Sequence, residues 1–266
     1  MRTGDYKQTH SELVALIDSP PVWLWSAVLL LALIAAPFLL NSYALSFLMI
    51  ILITVTGALG LNILTGYTGL ISLGHVGFLV TGAYAYAVLV SKYQMPPPVG
   101  FLGAGVVPAL ASLIVGAPSL RLKGLYLVIA TLAAQYILLD FFSRADWFSG
   151  GSVPASANPF SIFGYTLRGD RQYFYVVLAY MVLSYLLVTN LMRTRDGRAL
   201  VAIRDHYLSA EIMGINLTKY RTLSFGLAAF FAGIAGALKK IAGLPDGARL
   251  AQAEGEEVAH MLFGDG

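Results

Sequence analysis

The chain has 266 residues, of which 58% are hydrophobic and only 12% charged, with a mean hydropathy of +0.73 and a formal net charge of +3. A soluble domain usually carries about twice that charged fraction and has no place for several apolar runs of membrane-spanning length, so a soluble globular reading is excluded. The absence of cysteine removes disulfides, cysteine metal sites and cysteine nucleophiles, and the small, dispersed positive charge gives no footing for nucleic acid.

Residues 1–21 are mixed polar and close on Pro20 and Pro21, which stop a helix ahead of the bilayer. The first span is expected over 22–40, with Trp23 and Trp25 at its interfacial end. Three acidic against two basic residues precede it, which favours a retained helix over a signal peptide. A second span covers 44–64, and a third apolar run covers 76–90. Between them lies TGYTGLISLGH, with Gly66, Gly69 and Gly74 set among small hydroxyl residues such as Ser72. Non-helical backbone at membrane depth is tolerated only against protein or a water-filled path, so this stretch is a candidate for the transport pathway; a plain membrane-edge loop is the other reading. His75 closes it, and packing suits it better than metal binding because no second ligand sits at suitable spacing.

Residues 92–100 hold three consecutive prolines, Pro96, Pro97 and Pro98, and read as a stiff extramembrane turn. A short, glycine-rich fourth span is expected over 101–117 and a fifth over 125–139. Gln135 is the one strongly polar residue inside the fifth, placed for a hydrogen bond across a helix interface or for a ligand contact. The loop 142–171, with SGGS at 149–152 and prolines at 154 and 159, either caps the outer mouth or merely connects. The sixth span follows over 173–191.

Between Arg193 and Arg221 there are six basic residues and three acidic ones, and Arg121 and Lys123 form a second basic edge two spans earlier. The positive-inside rule puts both in the cytosol, the N-terminus with them and the 142–171 loop outside. The segment from Gly197 onward is charged and helix-compatible. Leu200, Ile203, Tyr207 and Ala210 recur at three- and four-residue steps, with Met213 one spacing further, while Arg204 and Glu211 lie on another side. Such a helix rests its apolar stripe on the membrane domain and shows its polar stripe to a cytosolic partner, or is a surface helix with none. Gly214 and Asn216 mark a bend. A seventh span, 223–238, is short and rich in glycine and alanine, with Gly226, Gly233 and Gly236 suited to close helix contact. Parity sends its end outward although Lys239 and Lys240 follow, so either the tail 239–266 folds outside or the segment fails to cross.

No Walker A loop, zinc-protease motif, nucleophile elbow or intramembrane carboxylate pair occurs. A transporter that concentrates its substrate would then need to be powered by another protein, although a passive channel is also compatible.

Three stretches carry a family resemblance: LNILTGYTGLISLGHVGFLVTGA at 61–83, APSLRLKGLYLVIATLA at 117–133, and the region 197–238 centred on RALVAIRD and AEIMGIN. In these the chain resembles the permease subunits of bacterial branched-chain amino acid ABC importers of the LivM type. The resemblance implies an all-α, polytopic transmembrane fold of the type II-like ABC importer permeases. It implies a multi-pass place in the bacterial inner membrane, a sister permease subunit, cytosolic ATP-binding subunits and an extracytoplasmic substrate-binding protein. No cofactor is bound by such a chain, ATP being used by the partner subunits, and the chain itself is no enzyme. Ala210, Glu211 and Gly214 map onto the family's coupling loop, with Arg204 and Glu211 as contact candidates for the ATPase. Leu, Ile and Val are the implied cargo, urea and short amides the alternative. The chain departs from the family at Ile212, Ala134 and the VPAS that follows Gly150-Gly-Ser152. From Lys239 onward the resemblance stops, which leads to the expectation of a shortened permease that lacks one wall of its pathway, with a non-transporting permease-like protein as the alternative.

Overall fold

A computed structural model describes residues 20–119, 124–144, 161–162, 165–166 and 169–242. The expectations for the polar N-terminal segment before residue 20, the basic edge at Arg121 and Lys123, the SGGS loop and the tail beyond 242 lie outside the described residues.

The first helix, α1 (Pro20–Leu39), takes its two prolines into its own first turn, where a missing N–H costs nothing. α2 (Ser42–Leu61) runs on through a π-helical turn, Asn62–Tyr67, so the continuous span is 26 residues. α3 (His75–Ala87) also ends in a π turn, Val88–Lys92. α4 (Pro97–Ser119) begins earlier than the proline run suggested. Pro97 and Pro98 form its first turn and Gln94, at φ +54°, makes the turn, so the stiff connection is shorter than 92–100. α5 (Leu125–Arg144) and α6 (Asp170–Arg193) complete the next two spans. Within the intervening loop, Ser161–Ile162 pairs antiparallel with Tyr165–Thr166 in a two-residue ladder. The rest of the described chain is helical or connecting.

The region expected to be one polar helix is two. α7 (Arg195–Asp205) stops at His206, whose backbone leaves the helical region, and α8 (Tyr207–Ile212) restarts at once. α9 (Leu217–Ile241) follows Gly214, which bends the chain at φ +86°. Asn216 caps α9 by accepting a hydrogen bond from the Lys219 amide at 3.0 Å.

Among the described residues, five helices are long and apolar enough to cross a membrane: α2 with its π turn, α4, α5, α6 and α9. α1, with a shorter apolar stretch at Leu24–Leu39, and the 13-residue α3 stand where the other two spans were expected. At 25 residues α9 is about 37 Å long, more than the roughly 30 Å of a hydrocarbon core. It runs antiparallel to α2, meeting it at both Gly57 with Ala235 and Gly60 with Ala228. The segment therefore traverses the bundle, and Lys239 and Lys240 occupy its last turn, where positive charge suits the helix dipole.

α9 is the centre of the fold, packed most heavily on α4 and α3 and then on α2. Its small residues make this possible. Gly233 is wedged between Gly82 of α3 and the Ala104 carbonyl of α4, and Gly236 sits on the Leu79 carbonyl. A side chain at either position would occupy backbone. In lipid, where apolar burial offers little between helices, such close backbone approach is what holds them together. α5, by contrast, is peripheral: Leu125, Tyr126, Tyr136 and Ile137 stay exposed and its main partner is α3.

Candidate functional site

The glycine-rich stretch is a built feature. After the π turn, residues 68–74 have no helical structure, and α3 starts only at His75. His75 Nε2 is 2.9 Å from the carbonyl of Gly57, ten residues back from Tyr67 along α2. Ten helical residues are about 15 Å, so the break climbs back into the bundle and α3 begins near mid-depth. This explains why α3 is short.

Each turn of the break is secured by a named group. Thr68 Oγ1 donates to the Ile63 carbonyl at 2.9 Å, and the Leu70 amide donates to Leu64 at 3.0 Å. The Leu73 amide donates to Thr131 Oγ1 of α5 at 3.2 Å, and the Gly74 amide to Ser72 Oγ at 3.3 Å. Gly69 adopts φ +73°, which an L side chain resists. A Cβ on Gly74 would come within 2.5 Å of the Thr131 carbonyl, so α5 and the break touch backbone to backbone. One turn further along α5, Gly77 lies against Gln135, whose Oε1 is buried with no hydrogen-bond partner among the described residues.

The candidate pathway residues thus fall into two groups. Ser72, Gly74, His75 and Gln135 surround the junction of α2, α3 and α5 at mid-depth, while Gly66 and Gly69 lie at the end of α2 beneath α7. His75 also borders a mostly apolar cavity of about 320 Å³ with Ile53, Gly57, Leu79 and Lys239. No group of three His, Asp or Glu side chains converges among the described residues. Sequence reasoning passed over Thr131 and Gly57, the two partners that fix the break. Thr131 lies inside one of the motif stretches and its hydroxyl was the available signal. Replacing Thr131 with valine keeps the shape but strands the Leu73 amide. The expected cost is about 1–3 kcal/mol, seen as a lower thermal midpoint in lipid nanodiscs, whereas Thr131→Ser should stay near the parent.

On the same end of the bundle, α7 seats Leu200 in a cluster with Ile63 and Phe231, and Ile203 is also buried. Thr194 caps α7 by accepting from the Gly197 amide at 3.3 Å. Ala210 is buried as the stripe required, but Tyr207 and Met213 are not, because the break at His206 rotates α8 away from the helical register of α7. Instead α8 and the turn after it turn outward a group of apolar side chains. Ile212 is 86% and Met213 84% exposed, beside Leu208 and Glu211. Gly214 ends this turn through hydrogen bonds from its own amide to Glu211 and from Ile215 to Ala210. Arg204, on α7, is exposed as well, and its Nη1 donates to the Gly66 carbonyl at 2.9 Å.

A family model described as "Branched-chain amino acid transport system / permease component" matches residues 43–240. Among curated proteins, the chain is 31% identical over 239 residues to the high-affinity branched-chain amino acid transport system permease protein LivM of Salmonella typhimurium, covering 81% of this chain and 56% of the relative. It is 30% identical, with the same coverage, to the LivM protein of Escherichia coli. A fructose import permease protein, FrcC of Rhizobium meliloti, is 28% identical over 149 residues, 54% of this chain and 41% of the relative. The chain therefore spans a little over half the length of the LivM relatives. No solved structure matches it.

Proposed function

The chain belongs to the branched-chain amino acid transport permease family, and from that premise we propose that it acts as the membrane permease subunit of an ATP-driven importer for leucine, isoleucine and valine. The printed function of the two LivM relatives supports the cargo. The observation that carries the mechanism is the exposed turn at the end of α8. Leu208, Ile212 and Met213 stand out of the bundle at the membrane's edge, where a protein partner, not lipid, would cover them.

Mechanistically, Ala210 roots α8 in the membrane domain while Glu211 and the bend at Gly214 shape the surface offered to a cytosolic ATP-binding subunit. Arg204, the fourth residue of this coupling set, sits in the last turn of α7 and reaches the Gly66 carbonyl. The break at 68–74 is the deformable part of the pathway, with Ser72, Gly74, His75 and Gln135 at its mid-depth junction and Gly66 and Gly69 at its cytosolic end. A π turn followed by irregular backbone can change shape without melting a regular helix. The chain performs no chemistry and holds no cofactor in this account; ATP belongs to the partner subunits. A sister permease supplies the facing wall, and an extracytoplasmic binding protein delivers cargo. The inner membrane is the site of action, with the N-terminus and the 193–221 region in the cytosol, a reading the basic excess of that region supports.

The test is uptake of labelled leucine by proteoliposomes holding the full-length permease, its sister, the ATPases and the binding protein. ATP-dependent uptake, competed by isoleucine and valine but not by urea, is expected. Uptake competed by urea alone would overturn the cargo, and ATP-independent uptake would overturn the importer reading in favour of a channel.

A further inference from the structure

Arg204 occupies the last turn of α7, and its side chain is committed on three sides. Nη1 donates to the Gly66 carbonyl at 2.9 Å. Nε and Nη2 both reach Asp205 Oδ1 at 3.0 Å, which holds the guanidinium plane in place. The aliphatic stem lies on Gly69, where an added Cβ would come within 2.9 Å of Arg204 Cγ. Gly69 is also one of the few residues at positive φ among the described residues. Both contacts are thus fitted to this side chain: Gly66 lies in the last helical turn, where carbonyls lose their intrahelical donors, and Gly69 has no side chain to keep the arginine away.

α7 stands between two parts that the proposed function keeps separate. α8 continues from it and bears the exposed docking turn, while the break leads from Gly69 through Ser72 to the Thr131 and His75 contacts at mid-depth. The far end of α7 is tied to α9, since Tyr220 Oη donates to Asp196 at 3.1 Å. α7 is therefore anchored at one end and holds the break with Arg204 at the other.

We propose that Arg204 is a positioning residue that latches α7 and α8 to the glycine-rich break, so that displacement of the docking turn is passed to residues 66–75. This inference rests on the importer reading above. In it Arg204 works inside the permease and not by touching the ATPase. An arginine suits the task because its fixed fork serves a carboxylate and a carbonyl together, which a lysine ammonium does not reproduce.

The experiment compares unmodified, R204A and R204K full-length assemblies in lipid, measuring ATP hydrolysed per leucine imported and amide hydrogen exchange of peptides covering 68–74 with and without ATP. The unmodified assembly should show exchange in this segment that responds to nucleotide. R204A should raise the ATP cost of each leucine about ten-fold and make exchange at 68–74 indifferent to nucleotide, with R204K in between. Gly69→Ala, which keeps Arg204 but pushes its stem away, should uncouple in the same direction by about three-fold. An unchanged ratio in R204A, or its failure to assemble at all, would overturn the latch, the second result making Arg204 a purely structural residue. Absence of ATP-driven uptake by the unmodified assembly would overturn the importer reading, a distinct result that requires no variant.

Discussion

Gly233→Leu is expected to remove the protein from the membrane fraction. Gly233 lies against both Gly82 and the Ala104 carbonyl, with Pro108 Cγ within 2.6 Å of where its Cβ would stand. Nothing at this crossing is a flexible side-chain end that can swing aside; the obstacles are two backbones and a proline ring. α9 is the helix around which α2, α3 and α4 are arranged, so spreading one contact spreads all three. Overpacking a close-packed interior usually costs about 1–3 kcal/mol, but with backbone on both sides the cost should exceed about 4 kcal/mol, comparable to the whole stability margin of many domains. The check is membrane-fraction yield together with the thermal midpoint of whatever survives. Gly226→Ala is the control on the same helix: its added Cβ meets only Ser112 Oγ, at 4.0 Å, and should change stability by no more than about 0.5 kcal/mol.

The second large effect leaves the fold intact. Ile212→Glu combined with Met213→Glu places two charges on side chains that are 86% and 84% exposed, so the thermal midpoint of the permease should not move. If those side chains are the anchors of an ATPase interface, burying the new carboxylates there costs at least about 2 kcal/mol, or roughly 30-fold in affinity. Co-purification of the ATP-binding subunits should fall accordingly, and leucine uptake with it. Glu211→Ala, which removes one exposed charge, should have a smaller effect, since rim charges contribute little. Retained co-purification by the double variant would move the docking surface away from α8.

Much of this was legible in the residues. The spans announced themselves because apolar runs of this length have few other uses, and the glycine and alanine of 223–238 foretold a crossing where backbones meet. The break was legible as glycines among hydroxyls, but not its depth. That depends on Thr131 and Gly57, which are far away in sequence and carry no local signal of contact. The proline run misled at one boundary because proline stops a helix from one side yet starts one from the other, and Pro97 and Pro98 do the second. The stripe from Leu200 to Met213 assumed an unbroken helical register. His206 ends that register through its backbone angles alone, which no apolar period encodes, and Met213 consequently turns outward. Arg204 was readable as a charge on a polar helix; its hydrogen bond to the Gly66 carbonyl of its own chain was not.

The most direct test of the account is the nucleotide response of a single cysteine at Ser72. The chain contains no cysteine, so Ser72→Cys provides the one thiol within it. Ser72 is buried at the mid-depth junction, where its hydroxyl holds the Gly74 amide. In the assembled importer, a charged, water-soluble thiol reagent should modify this position about ten-fold faster in one nucleotide state of the ATPases than in the other. Equal reactivity with and without ATP would contradict the account, because a break that lines the pathway and follows α8 must change its access to water when the ATPases close.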